Sequence, residues 1–291
     1  MRQRVYNVSL TGYKMPYHAT IVDLKRIRSK QPWMVLSAAE TFCLAHSNHP
    51  SISHFYSFKA SDSPTKTLAV PDGCVDILFD CDATYPSARV FGTPIEAIEA
   101  DIKNDHRYFG VRFASGTVPD WMAISAGDLV QHGYNLLELA PHVESLFEGV
   151  IENSDFAARV ALCQGFFEPY AARSLSSLTQ AVTQCIFDRQ GNIRMDELSM
   201  LTDYTTRTIQ RVFRADMGMS PKRFSRIVRC QSAIYSIHHN HQMTLSDMAH
   251  NLGFSDQSHF LREFKQLVHA TPMDYKNQVQ QSSYIGRIEC Y

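Results

Sequence analysis

Three arginines share one face of a short predicted helix in the last third of the chain. At about 100° per residue, Arg207, Arg211 and Arg214 fall within roughly 60° of each other, opposite the apolar residues Ile209 and Phe213. A guanidinium group binds guanine edges and phosphate groups through paired hydrogen bonds. The ridge therefore predicts contact with a nucleic acid. The alternative is a charged face that only keeps the helix solvated.

Further polar side chains extend this candidate surface. Thr206 and Gln210 flank the arginines, and a second predicted helix, Asp256–Leu267, places Ser258, His259 and Arg262 away from its apolar side. Arg262 and His259 could read base edges, and Ser258 could contact a base or a phosphate. The second set is less basic than the first. Its alternative role is to dock on the phosphate backbone rather than to read sequence.

Both polar sets belong to a unit that occurs twice. Each unit has a short helix, a tight turn, a hydroxyl cap and a second helix, over 195–214 and again over 245–264. A Ser-Pro or Thr-Pro pair follows each unit. This is the layout of a helix-turn-helix, in which the second helix enters a major groove. The predicted N-caps are Thr205, Ser220, Thr244 and Ser255.

A longer helix is predicted between the two units, over Pro221–His239. Nineteen residues at 1.5 Å each give a rod of about 28 Å, and one turn of B-DNA is about 34 Å. Such a rod could set two recognition helices into successive major-groove segments. Its basic side, with Lys222, Arg226 and Arg229, would either contact phosphates or keep the helix soluble.

The first part of the chain has a different periodicity. Residues from about 17 to 115 predict short strands broken by turns, and Asp128–Leu139, Ala140–Glu152 and Ser154–Tyr170 predict helices. We therefore expect an α+β protein of two domains. Residues 1–172 form an antiparallel β barrel or sandwich with packing helices, and residues 173–291 form an all-α domain.

Charge and composition limit the possible classes. The formal net charge is -1, but residues 173–291 hold 14 basic and 10 acidic side chains, so that part carries +4 and the rest -5. No apolar run is long enough to span a membrane, and the start of the chain lacks the apolar stretch of a signal peptide. The seven cysteines are scattered, which favours reduced thiols. These features predict a cytoplasmic protein.

Enzyme chemistry finds little support in the sequence. The histidines of the first domain show no His-x-His pair, and no nucleophile elbow or phosphate-binding glycine loop is present. Asp72 and Asp76 flank Cys74, but a turn followed by a strand explains this segment more simply. We expect no catalytic residue, no metal site and no cofactor. The segments Val70–Asp76 and Phe109–Gly116 are similar to parts of a cupin-like barrel. The alternative is therefore a cupin-type metal-dependent enzyme fused to a DNA-binding domain.

Residues 193–279 resemble the DNA-binding domain of AraC/XylS-type bacterial transcriptional regulators. The most specific motif is Ala249-x-x-Leu252-Gly253-Phe254-Ser255-Asp256-Gln257-Ser258-His259-Phe260-x-Arg262-x-Phe264-Lys265, followed by Thr271-Pro272-x-x-Tyr275. Three positions depart from the family pattern. Ser199 replaces an alanine, Asp203 a frequent glycine, and His269 a common glycine whose backbone would have positive φ.

The resemblance implies a function and partners. Residues 1–172 are similar, through Val70–Asp76 and Phe109–Gly116, to a cupin-like domain that senses small molecules and mediates dimerisation in a subset of these regulators. The chain is thus expected to be a homodimeric regulator of transcription that binds double-stranded DNA. Activation through RNA polymerase and control by a small effector are expected from the family, and no membrane partner is expected.

Overall fold

Alternating apolar residues form the strands that fill the first half of the protein. The computed structural model describes residues 39–60, 67–170, 175–239, 243–281 and 288–290, so the strands expected before residue 39 lie outside the described part. The strands are β1 (Ala39–His46), β2 (Ile52–Ala60), β3 (Leu68–Ala69), β4 (Asp76–Asp80), β5 (Ser87–Phe91), β6 (Ile98–Glu99), β7 (Arg107–Phe113), β8 (Gly133–Asn135) and β9 (Ile288–Cys290).

Seven of these strands form one sheet in the order β8-β5-β4-β7-β2-β1-β9. Its pairs are antiparallel except for β1 and β9, which are parallel, so residues near the end of the chain join the sheet of the first half. The register sets Phe55 opposite Val111 and Phe79 opposite Phe109, and all four side chains are buried on one face. The strands β3 and β6 form a separate two-stranded ribbon.

Eleven helices are defined within the described residues. They are α1 (Ala126–Leu129), α2 (Leu136–Leu139), α3 (Glu144–Glu152), α4 (Phe156–Phe167), α5 (Ser177–Asp188), α6 (Met195–Thr202), α7 (Thr206–Met217), α8 (Pro221–His239), α9 (Leu245–Asn251), α10 (Gln257–Val268) and α11 (Pro272–Gln281). A 3-10 turn over Pro141–Val143 precedes α3. The helices α1 to α4 bury their apolar sides against the large sheet, and α5 to α11 form the helical domain.

The helix predicted over Asp128–Leu139 is wrong. Gln131 has φ +68° and breaks the segment after α1, and the next residues pair as strand β8 with β5, with Tyr134 opposite Val90. The apolar spacing of the segment suits a helix, but hydrogen bonds to the edge of a sheet decide its conformation. Such long-range pairing is invisible to a local periodicity.

The predicted helices of the second domain are confirmed within about two residues at each end. The hydroxyls of Thr205, Ser220 and Thr244 each accept a hydrogen bond from a backbone N–H three residues ahead, as expected for N-caps. Ser255 is not the cap of α10. Asp256 takes that role, since its carboxylate accepts the N–H of His259 at 2.7 Å.

Candidate nucleic-acid interface

The helix α7 presents the predicted arginine ridge to solvent. Ile209 and Phe213 are fully buried in the core of the first unit, which fixes the rotation of the helix. The five residues predicted to bind DNA on this helix are all exposed: Thr206, Arg207, Gln210, Arg211 and Arg214. Their side chains therefore form one continuous polar face that a ligand could reach.

A tight turn sets α7 against α6. Asp203 adopts the left-handed region at φ +59°, a conformation that aspartate tolerates better than most residues. The hydroxyl of Ser199 donates to the carbonyl of Tyr204 at 2.6 Å, across the turn. Two departures from the family pattern thus support the turn itself.

The helix α10 presents the second set of predicted residues in a different way. Ser258 and Arg262 are exposed, whereas His259 is half-buried and held at both ring nitrogens. Its Nδ1 lies 3.1 Å from the hydroxyl of Ser255, and its Nε2 lies 3.4 Å from a carboxylate oxygen of Glu263. His259 is therefore oriented by contacts within the protein.

The basic side of α8 serves the protein more than solvent. Arg226 donates through Nε to Glu263 at 2.7 Å and through Nη2 to Gln266 at 2.9 Å, which ties α8 to α10. Arg229 donates to the carbonyl of Gly191 at 2.9 Å and lies over the ring of Phe254. The two roles expected for these arginines, phosphate contact or solubility, miss this packing function.

A recess of about 600 Å³ lies between α6, α8 and α10. Four cationic side chains line it, from Arg194, Lys222, Arg226 and Arg229, together with the carboxylates of Asp196 and Glu263. Burial lowers the pKa of Arg229 from its ordinary value, and the charge of Glu263 opposes this effect. Arg194 was not among the predicted contacts. The only feature of the sequence that could have indicated a role for Arg194 in this recess is its position just before the first helix-turn-helix.

The aspartates around Cys74 belong to a buried ion-pair network. Arg112 donates to Asp72 at 2.9 Å and to Asp76 at 2.7 Å. Burial, together with the charge of Asp72, raises the pKa of the Cys74 thiol well above its ordinary value. A thiol held neutral is a poor nucleophile, which supports the interpretation of this segment as a turn and a strand.

The described residues hold neither a cluster of metal ligands nor a helix that could span a membrane. No group of three or more histidine, cysteine, aspartate or glutamate side chains in the described ranges is placed to hold a metal ion. No helix in the same ranges is both long and apolar enough to cross a membrane.

Comparison with known proteins identifies the helical domain. Residues 198–278 match the family described as a helix-turn-helix domain. Residues 198–278 form an AraC-type helix-turn-helix domain. An uncharacterized HTH-type transcriptional regulator of Haemophilus influenzae is 28% identical over 102 residues, or 35% of this chain and 34% of that protein. The match thus spans about a third of the length of that curated relative.

Matches to the sheet domain, which holds strands β1 to β8 and helices α1 to α4 within residues 39–170, and to solved structures add less to the family assignment. Residues 49–135 match a domain of unknown function, DUF6597. A probable AraC family transcriptional regulator from Rhodopseudomonas palustris is 26% identical, over 35% of this chain and 97% of its own, with a TM-score of 0.32. ToxT from Vibrio cholerae is 11% identical, over 78% of this chain and 98% of its own, with a TM-score of 0.44. The AraC-type assignment depends on the match over residues 198–278.

Proposed function

We propose that this protein regulates transcription by binding double-stranded DNA in a sequence-specific manner. The observation that carries the proposal is the exposed arginine ridge of α7, which lies opposite a fully buried apolar stripe in an AraC-type domain. A second recognition helix, α10, follows at the far end of the rod-like α8. Two such helices fit successive major-groove segments on one side of a duplex.

Each helix contributes a defined set of contacts to this proposal. On α7, base edges and phosphates are contacted by Arg207, Gln210, Arg211 and Arg214. Thr206, at the start of the same helix, contacts the sugar-phosphate backbone of the DNA. On α10, Arg262 reaches bases in the next groove segment with Ser258. His259 joins them in the orientation that Ser255 and Glu263 impose.

The sheet domain supplies control in this proposal. Residues 1–172 act as a cupin-like sensor and as the dimerisation surface of a homodimer, and residues 173–291 bind DNA. A small effector shifts the protein between two states through its different affinity for them. Activation through RNA polymerase is the proposed output. Because the operator would lie on the bacterial chromosome, the proposed location of the protein is the cytoplasm.

Selection of duplexes from a randomised pool tests the DNA-binding function. The full chain should enrich one bipartite sequence, and its affinity for that duplex should survive an excess of competitor DNA. The logarithm of the binding constant should fall linearly with the logarithm of salt concentration, because bound phosphates release counterions. If no sequence is enriched at low salt, the proposed function is wrong.

A further inference from the structure

The sheet domain touches the C-terminal end of the first recognition helix. Gly218 ends α7 at φ +71°, and a Cβ at this position would overlap the carbonyl oxygen of Ala126 in α1. Met217, the last residue of α7, is buried. Its Cε atom would lie 3.3 Å from a Cβ placed on Gly116 of the sheet domain. The backbone of the sheet domain thus lies directly against the end of α7.

The same domain also touches the C-terminal end of the second recognition helix. The β3–β6 ribbon reaches α10, where the N–H of Ala97 donates to the carbonyl of Leu267 at 2.9 Å. Carbonyls in the last turn of a helix lack an intrahelical donor, so this bond satisfies an otherwise open acceptor. Val70 and Ala97 are 1% and 2% exposed, and both belong to the apolar core of the second unit.

A third contact lies between these two. The amide of Gln231, on α8, donates to the carbonyl of Pro71 at 2.6 Å, and Gly73 lies against the ring of Phe224. The ion pair of Arg112 with Asp72 connects this loop to the large sheet. One domain therefore holds α7, α8 and α10 through contacts that share a single scaffold.

These contacts leave the proposed DNA surface open. Arg207, Arg211, Ser258 and Arg262 are exposed while the sheet domain is docked. Within the described ranges, the sheet domain therefore does not block the recognition helices sterically. What it can change is the position of one helix end relative to the other.

We propose that the sheet domain sets the separation and angle of the two recognition helices by holding the C-terminal end of each. This inference rests on the proposed function and adds a means of regulating it. A shift of the β3–β6 ribbon relative to α1 would move α10 relative to α7. The distance between the two DNA half-sites that the protein accepts would then change.

Substitution of Ala97 tests this inference in the full chain. Ala97→Gln places a long side chain between the ribbon and α10 and should release that contact. Ile98→Gln is the matched control, because Ile98 is the next residue and is 40% exposed. Duplex selection is run with the wild-type chain and both variants, and the spacing between the two selected half-sites is compared.

The expected results separate the two proposals. The wild-type chain and Ile98→Gln should select one spacing, whereas Ala97→Gln should select the same half-sites at two or more spacings. Its affinity for the wild-type spacing should fall about fivefold or more, the lower end of ordinary coupling between sites. An unchanged single spacing in Ala97→Gln overturns the inference, and a wild-type chain that enriches nothing overturns the proposed function instead.

Two measurements keep the test decisive if Ala97→Gln fails to fold. Val70→Ala removes two methyl groups from the same contact and should broaden the spacing to a smaller degree. In the wild-type chain, hydrogen exchange of the peptide around Ala97 should be slow and should accelerate in Val70→Ala, because the Leu267 carbonyl protects the amide. Rapid exchange of this peptide in the wild-type chain would show that the contact does not persist in solution and would refute the inference.

Discussion

At the scale of single residues, the two recognition helices prepare their side chains differently. The guanidinium groups of Arg207, Arg211 and Arg214 are exposed and make no ion pair or hydrogen bond with the described residues, so they can turn toward a ligand. His259 is already oriented by Ser255 and Glu263. If both helices enter DNA grooves as proposed, the side chains of the first can adapt to the groove, while the second presents a more fixed pattern.

Substitution of Arg211 tests the base contacts proposed for α7. If Arg211 pairs with a base, Arg211→Ala should lose about 1–3 kcal/mol of discrimination at one base pair, as is typical of a paired guanidinium contact. The measurement is a titration against the selected duplex and each single-base variant of it. Arg189→Ala, which removes an exposed arginine just after α5, should leave this discrimination unchanged. Equal losses in both variants would remove Arg211 from the set of base contacts.

The cap of α10 should give stability a dependence on pH. Asp256 accepts the backbone N–H of His259, and this bond lowers the pKa of the carboxyl below its ordinary 3.8. A carboxyl with a lowered folded pKa stabilises the fold above its unfolded pKa, and this stabilisation is lost as the pH falls through the folded pKa. Asp256→Asn keeps a capping oxygen but does not titrate.

Thermal melts of the wild-type chain and Asp256→Asn therefore need comparison across pH. The wild-type advantage should be present at pH 6 and should shrink toward about pH 3. Asp120→Asn, which removes an exposed carboxyl of the sheet domain, serves as the control for the loss of one charge. A difference in melting temperature that stays constant from pH 6 to pH 3 would contradict the role of the ionised cap.

At the scale of elements, the sequence predicts what local signals determine. Periodic apolar residues locate the helices from α5 to α11, and hydroxyl caps mark the starts of α7, α8 and α9. The arginine ridge follows from the rotation of α7 alone. The segment around Tyr134 is mispredicted because its pairing partner, Val90, lies more than forty residues away. The network of Arg226, Glu263 and His259 is missed for the same reason, since only the packing of α8 on α10 brings these residues together.

The core of the second unit should depend on one aromatic side chain. Phe264 is buried and contacts the rings of Phe260 and Tyr275, at centroid distances of 5.8 Å each. Phe264→Ala should lower the free energy of unfolding by about 3–5 kcal/mol, because it leaves a cavity that the surrounding helices cannot fill. Urea titration followed by circular dichroism measures the change. Lys265→Ala, at the exposed neighbouring position, should stay within about 0.5 kcal/mol of the wild-type chain.

At the scale of the whole molecule, the average charge hides the division of labour. An acidic sheet domain and a modestly basic helical domain sum to -1, yet the placement of a few arginines on one face is what supports DNA binding. The contacts at Gly218, Gln231 and Ala97 join the two domains without covering that face. No periodicity in the sequence predicts these contacts, because each pairs residues that are about ninety or more positions apart.

At the domain contact of Gln231, a favourable hydrogen bond and an unpaired buried oxygen have opposite effects on the free energy of unfolding. Its amide nitrogen donates to Pro71, but its buried side-chain oxygen has no hydrogen-bond partner among the described residues. Gln231→Leu leaves the Pro71 carbonyl unpaired, at about 1–3 kcal/mol, and removes an unpaired oxygen of similar cost. The two effects should offset each other, so the free energy of unfolding should change by less than about 1 kcal/mol. Gln231→Glu instead buries a carboxylate and should be destabilised by several times that amount. Urea titration of both variants gives the comparison, and a loss in Gln231→Leu as large as that in Gln231→Glu would show that the oxygen carries no cost.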